Sequence, residues 1–182
     1  EVLGLWVGKA ESAAFWMSVL TDIKARGVED ILITCTDNLN GFTDTIRTVF
    51  PEAATQVCVV HQIRNSCRYV TYKDLKEFTK DLKTVYGAVN KDAAALALDT
   101  FEQKWGKKYQ YAVRSWRTNW DDLTTFFDYP MEIRKIIYTT NLIENLNGKI
   151  RKYTKAKLSF PNDDAVKKSV FLAINEIQKK QA

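Results

Sequence analysis

The sequence predicts an α/β layer broken by a large all-helical block, giving a chain that is mostly helical overall. Three observations predict it. Strand-like and helix-like apolar patterns alternate over residues 1–61, as in a sheet with helices packed on it. Residues 62–137 carry helical periodicity and no strand signal. Residues 138–182 read as two amphipathic helices that return to the first part. The expected organisation is therefore a core part at 1–61, a helical insertion at 62–137, and a return to the core at 138–182.

Each element has a local reason. Leu3–Val7 is a short apolar run and reads as a strand. Ser12 is placed to cap a helix running to about Arg26, with Phe15, Val19 and Ile23 inward and Gly27 as its stop. Ile31–Thr36 is short, β-branched and apolar, and reads as a buried strand ending at Asp37. Asn38–Gly41 is a turn, and Phe42–Phe50 is a helix closed by Pro51. Gln56–Val60 reads as a second buried strand, ending at His61. Helices are expected over Gln62–Val70, Asp74–Tyr86, Asn90–Trp105 with Gly106 as its stop, Lys107–Trp120 and Asp121–Phe127, with a break at Pro130. A last helix is capped by Asn162 and runs to about Lys180, with Val166, Val170, Ala173, Ile174 and Ile177 inward.

The stretch Thr139–Lys152 is the one to which the rest is referred. At about 100° per residue, Leu142, Ile143, Leu146, Ile150 and Tyr153 share one arc of a helix. Glu144, Asn147, Gly148 and Arg151 share the opposite side. One carboxylate thus stands beside a glycine that permits close approach and an arginine suited to phosphate. The plainer reading is a capping box of Asn141 and Glu144, with Glu144 complementing the helix dipole.

Composition narrows the function classes. The 182 residues suit one domain, or one domain with an insertion, and the chain is 46% hydrophobic with five Trp, enough for a core. There is no apolar run of eighteen residues, so no membrane span is expected. The first residues, Glu1–Trp6, have neither the basic start nor the long apolar stretch of a signal peptide, and they lack an initiator Met, as a fragment would. Three Cys fit reduced thiols in a cytoplasm better than a disulfide framework. The net charge of +5 is unevenly placed. Residues 142–182 hold nine Lys/Arg and four Asp/Glu, while the first 141 residues hold eighteen of each. A basic excess confined to one segment serves an anionic partner or solubility.

Four features could carry chemistry. Asp37 follows a buried strand, and ligands of α/β sheets gather outside carboxyl strand ends; alone, a turn Asp capping the next helix is the simpler reading. Two carboxylates from different elements could hold Mg²⁺, a hard cation that takes oxygen ligands. Cys58-x-x-His61 is half of a zinc pattern, but His61 is the only His and Cys35 and Cys67 have no paired spacing, which favours a buried Cys and a hydrogen-bonded His. Lys149, Arg151, Lys152, Lys155 and Lys157 contain no acid among them, and read either as a solvated basic face or as contacts to DNA phosphates. Trp116 and Trp120 lie four apart on a helix, a spacing typical of a core; stacking on an unpaired base is the alternative.

Six stretches taken together resemble one family. They are Gly4–Ser12, Thr36–Phe42, Cys58–Ser66, Thr124–Pro130, Tyr138–Glu144 and Ser159–Asp163. In this order they look like the bacterial insertion-sequence transposases of the Mutator-like family, over nearly the whole chain. The resemblance implies an RNase H-like catalytic core with a DDE triad. It implies Mg²⁺-dependent (or Mn²⁺-dependent) nicking and strand transfer at the ends of a mobile element. Asp37 matches the second Asp, Glu144 the Glu, and Cys58 and His61 the family's C-x-x-H signature. The helical block matches the insertion between the second Asp and the Glu. Arg64, Arg68 and the Lys149–Lys157 run would lie near DNA phosphates. The implied partners are terminal inverted repeats and target DNA, with the protein acting as a homodimer in a bacterial cytoplasm. The first catalytic Asp of the pattern falls upstream of Glu1, so the chain resembles the C-terminal part of a transposase and is expected to lack full activity alone. Two other readings fit the same residues: an RNase H-like nuclease, and a catalytically inactive DNA-binding or assembly module.

Overall fold

The computed structural model describes residues 2–37, 39, 41–139, 141–155 and 159–179. In order they form α1 (Ala13–Ala25), β1 (Ile33–Thr36), α2 (Phe42–Val49), β2 (Ala54–Val57), α3 (Val59–Cys67), α4 (Tyr72–Tyr86), α5 (Lys91–Trp105), α6 (Gln110–Thr118), α7 (Trp120–Thr124), a 3₁₀ turn (Thr125–Asp128), α8 (Met131–Ile137), α9 (Asn141–Thr154) and α10 (Asp163–Lys179). The chain divides into two compact units. One comprises Glu1–Asp30, Asn40–Pro51 and Asn141–Ala182; the other comprises Ile31–Leu39 and Glu52–Thr140.

The second unit is built on a parallel strand pair. β1 and β2 align Ile33 with Ala54 and Thr36 with Val57. The Cys58 N–H continues the ladder by donating to the Thr36 carbonyl at 2.7 Å. Parallel strands need a crossover connection, and α2 lies in it. The hydrophobic core of this unit runs from Val57 and Val59 through Phe78, Leu82, Leu98 and Phe101 to Trp116, Leu123 and Phe126. Phe78 is its aromatic centre, with edge-to-face contacts to Phe101 and Trp105 at centroid separations of 4.9 and 5.6 Å. Such pairs contribute beyond their buried area.

One buried polar residue fixes β2 against the segment that follows α7. The Gln56 side chain is 0% exposed. Its Nε2 donates to the Val57 and Leu123 carbonyls at 2.6 and 3.0 Å, and its Oε1 accepts from the Phe126 N–H at 2.7 Å. A second polar seam joins α3 to α6: Gln62 donates to Ser115 at 2.8 Å, and the Trp116 indole donates to Ser66 at 3.0 Å. On the surface of the helical block, Asp74 accepts from Lys108 and Tyr109, and Asp81 accepts from Lys104 and Trp105.

The first unit packs α1 on α2 and α9 on α10. Trp16 of α1 stacks on Phe42 of α2 with ring centroids 4.2 Å apart. The expected caps form: Ser12 Oγ accepts from Phe15 at 3.2 Å, Asn90 Oδ1 from Ala93 at 2.8 Å, and Asn162 Oδ1 from Ala165 at 2.9 Å. Gly27 takes φ 96°, a conformation that stops α1 and that other residues rarely adopt.

Several expectations are corrected. Leu3–Val7 is not a strand. A strand needs a ladder partner, and this segment is instead held by side chains: Arg26 donates to the Leu3 carbonyl at 2.7 Å and Trp6 to Asp22 at 3.2 Å. β1 starts only at Ile33, and Leu32 before it is exposed. β2 ends at Val57 rather than Val60, because the Val59 N–H donates to the Tyr138 carbonyl at 3.0 Å and the chain turns into α3 there. His61 therefore lies in a helix, not at a strand end. The 107–120 helix begins only at Gln110. The apolar arc read on α9 stays largely open: none of its residues is buried, and Leu142 and Ile143 are 72% and 53% exposed. The α/β expectation holds as this parallel pair within a mainly helical chain; a two-stranded sheet by itself does not define an RNase H-like core.

Candidate functional site

Asp37 directly follows β1, at the carboxyl end of the parallel pair, and is exposed. It does not cap the next helix. α2 starts from Gly41, which takes φ 74° and has no side chain to cap with. The side chain of Asp37 is thus presented at the edge where α/β sheets place ligands. The flanking Asn38 and Asn40 lie outside the described residues.

Cys58 and His61 are arranged by the β2–α3 junction. Cys58 is the N-cap of α3 and is buried; His61 is half-buried in the first turn. Both have partners of their own within the fold. Burial, with Cys58 close by, pushes the Cys35 thiol up, and burial pushes the Cys67 thiol up. Raised thiols stay neutral at physiological pH, which disfavours both metal binding and nucleophilic attack. Among the described residues, no group of three or more His, Cys, Asp and Glu gathers as a metal site.

The same junction also holds the end of the helical block. The Tyr138 carbonyl accepts from Val59, the residue after Cys58, whose own N–H pairs with Thr36. Tyr138, just after α8, is therefore tied to the β2–α3 junction. Three residues later α9 begins. Glu144 sits in its first turn, half-buried, where a carboxylate complements the positive end of the helix. The residue preceding α9, Thr140, lies outside the described residues, as does Lys157. A Cβ built on Gly148 would meet nothing within 4 Å, so the surface there is open.

The described cationic residues are mostly exposed. Arg151, Lys152 and Lys155 are exposed, and Lys149 is half-buried. Arg64 and Arg68 are exposed on α3 and at its end. The two tryptophans are not. Trp116 is 1% exposed with its indole N–H bound to Ser66, so its faces are occupied by core side chains and cannot receive a base. Trp120 is half-buried and packs on the same core.

Sequence reasoning missed three residues that position this region. Gln56 ties β2 to the 3₁₀ turn. Arg134 donates to the carbonyls of Tyr129, Val89 and Phe127 at 2.8, 2.9 and 2.9 Å, holding the segment that leads into α9. Tyr138 supplies the carbonyl that starts α3. No local pattern marks them, because their partners lie up to 79 residues away, as with Val59 and Tyr138.

Residues 1–181 match the family model described as Transposase, Mutator family. A probable transposase for insertion sequence element ISRM3-like from Sinorhizobium fredii is 44% identical over 176 residues, 96% of this chain and 44% of that protein. A transposase for insertion sequence element ISRM3 from Rhizobium meliloti is 43% identical over the same shares. A probable transposase for an insertion sequence element from Corynebacterium diphtheriae is 42% identical over 183 residues, 100% of this chain and 53% of that protein. The chain spans about half the length of the curated relatives it matches.

Proposed function

The chain belongs to the Mutator family of transposases, and from that premise we propose that it supplies part of the catalytic domain of an insertion-sequence enzyme that nicks and joins DNA at the ends of a mobile element. Residues 1–61 and 138–182 would contribute to an RNase H-like core, and 62–137 would form its helical insertion. Asp37 and Glu144 are the residues we assign to metal binding. Their carboxylate oxygens are the donors that Mg²⁺ or Mn²⁺ takes, and a bound ion supplies charge stabilisation and activation of an attacking oxygen in phosphoryl transfer. Arg64, Arg68, Lys149, Arg151, Lys152 and Lys155 would hold phosphates of the terminal repeats and target, with Lys157 in the same run. Such contacts fix register without reading sequence. A protein acting on DNA in a bacterium works in the cytoplasm, and pairing of element ends fits a homodimer.

The observation that carries this reading is the position of Asp37. It is exposed at the carboxyl end of β1, where a parallel strand pair presents ligands. The test is a strand-transfer assay on the whole protein with Asp37→Asn and Glu144→Gln. Losing a hydrogen-bond partner of a metal ligand costs about 10–100-fold. Losing the ligand itself should therefore lower joining at least about a hundredfold. Joining at the unaltered rate would remove Asp37 and Glu144 from the site. Cutting without joining by the unaltered protein would instead favour an RNase H-like nuclease. A second reading is a DNA-binding or assembly module without chemistry of its own. It predicts DNA binding that neither substitution changes.

A further inference from the structure

The two tryptophans are spent in or against the core, yet the helical block displays another aromatic pair. Tyr69, just after α3, and Tyr111, on α6, have ring centroids 4.6 Å apart at 49°. They are 52% and 64% exposed. Aromatic rings normally bury most of their surface, so a packed pair left in solvent is unusual. The pair is rigidly founded: α3 and α6 are joined beneath it by the Gln62–Ser115 and Trp116–Ser66 hydrogen bonds.

Its neighbours are cationic. Arg68 adjoins Tyr69 and is exposed. Arg114 stands one turn from Tyr111 on α6, is exposed, and lines a surface cleft with Lys107 and Gln110. Arg117 borders the same cleft but is engaged by Asp99 and Glu102 at 2.5 and 2.6 Å. Lys108 is likewise engaged by Asp74. That leaves Arg68, next to Tyr69, and Arg114, one turn from Tyr111, as the cations offered beside the pair.

Exposed aromatic faces framed by arginines match one ligand chemistry: an unpaired nucleobase with its flanking phosphates. The ring face stacks on the base, and the guanidinium groups hold the backbone. A duplex offers no free base face, so it would gain only the charge contacts. We propose that Tyr69 and Tyr111 form a stacking platform for unpaired DNA, held in place by Arg68 and Arg114. The proposal rests on the DNA-joining reading above and adds to it a place for the single-stranded segment that strand breakage exposes.

The test measures binding of the 182-residue chain to a fluorescein-labelled single strand of about sixteen nucleotides, the upper end of known site sizes, and to a duplex of equal length. Replacing both tyrosines with Ala should weaken single-strand binding by about ten- to a hundredfold, as loss of base stacking does, and leave duplex binding within about twofold. Replacing both with Phe, which keeps the ring faces, should retain single-strand binding. Arg114→Gln should weaken single-strand binding and reduce its salt dependence. Unchanged single-strand affinity in the Ala pair would overturn the platform, as would an equal loss in the Phe pair. Loss of duplex and single-strand binding alike in a folded Ala pair would also overturn it, because stacking is then not the interaction removed. The outcomes separate from those of the catalytic reading: joining lost in Glu144→Gln with an inert Ala pair refutes only the platform.

Discussion

Glu144 occupies a place where two roles have very different magnitudes. As a carboxylate in the first turn of α9 it stabilises the helix by about 0.3–1 kcal/mol. Loss of that dipole contribution in Glu144→Gln should lower the unfolding free energy by about 0.3–1 kcal/mol, read from urea denaturation. A hundredfold loss of joining in the same variant cannot come from that cost, so the two measurements separate ligand from dipole partner. Asp74 gives a second residue-level prediction. The Lys108 ammonium, and then the Tyr109 hydroxyl, hold its carboxyl below the ordinary value of 3.8. A lowered folded value contributes stability that is complete above the ordinary value and is lost as pH falls through the folded one. The thermal midpoint should fall as pH drops below 3.8, and Asp74→Asn should flatten that acid limb. Its partner carries the opposite sign. The bond to Asp74 raises Lys108 above 10.5, so the lysine's contribution is full below that value and is lost as pH rises through the raised one.

At the scale of elements, the seam between β2 and the 3₁₀ turn depends on one amide. Gln56→Leu keeps similar bulk but strands the Leu123 carbonyl and the Phe126 N–H in a dry interior. Each such group costs about 1–3 kcal/mol, so the variant should lose roughly 2–6 kcal/mol in urea unfolding. A loss below 1 kcal/mol would mean that water reaches the seam. α9 offers a test in the other direction. Gly148 is helical and its missing Cβ would touch nothing, so Gly148→Ala should raise helix stability by about 0.5–1 kcal/mol. If DNA approaches this face closely, the same methyl should slow joining even as the thermal midpoint rises. A stabilised variant with full joining would leave Gly148 without a functional reason.

For the molecule as a whole, the charge distribution predicts how binding responds to salt. The excess of Lys and Arg lies in residues 142–182, and Arg151, Lys152 and Lys155 are exposed there. Each duplex phosphate neutralised contributes about 0.9 to the slope of log affinity against log salt. Arg151→Gln with Lys152→Gln should reduce that slope by about two and weaken different duplexes alike. An unchanged slope would assign the basic face to solubility. Among the described residues, no helix is long and apolar enough to cross a membrane.

How much of this was legible follows from the range of the forces involved. The caps at Ser12, Asn90 and Asn162, the stop at Gly27 and the helical periods of α4, α5 and α10 were readable in the sequence, because each is settled within about four residues of chain. Asp37 at a strand end was readable for the same reason. The fate of apolar runs was not. Leu3–Val7 has the composition of a strand but no ladder partner. Cys58–Val60 has it too, but a carbonyl from Tyr138, far along the chain, turns it into a helix start. Trp116 and Tyr111 lie five residues apart on one helix, yet packing of α3 against α6 sends one ring to the core and leaves the other in water. The sequence alone thus determined the family, the caps and the basic segment, which are matters of residue order and composition. The tertiary structure alone decided which aromatic faces and which apolar arcs are exposed, because burial is a property of neighbours brought from distant parts of the chain.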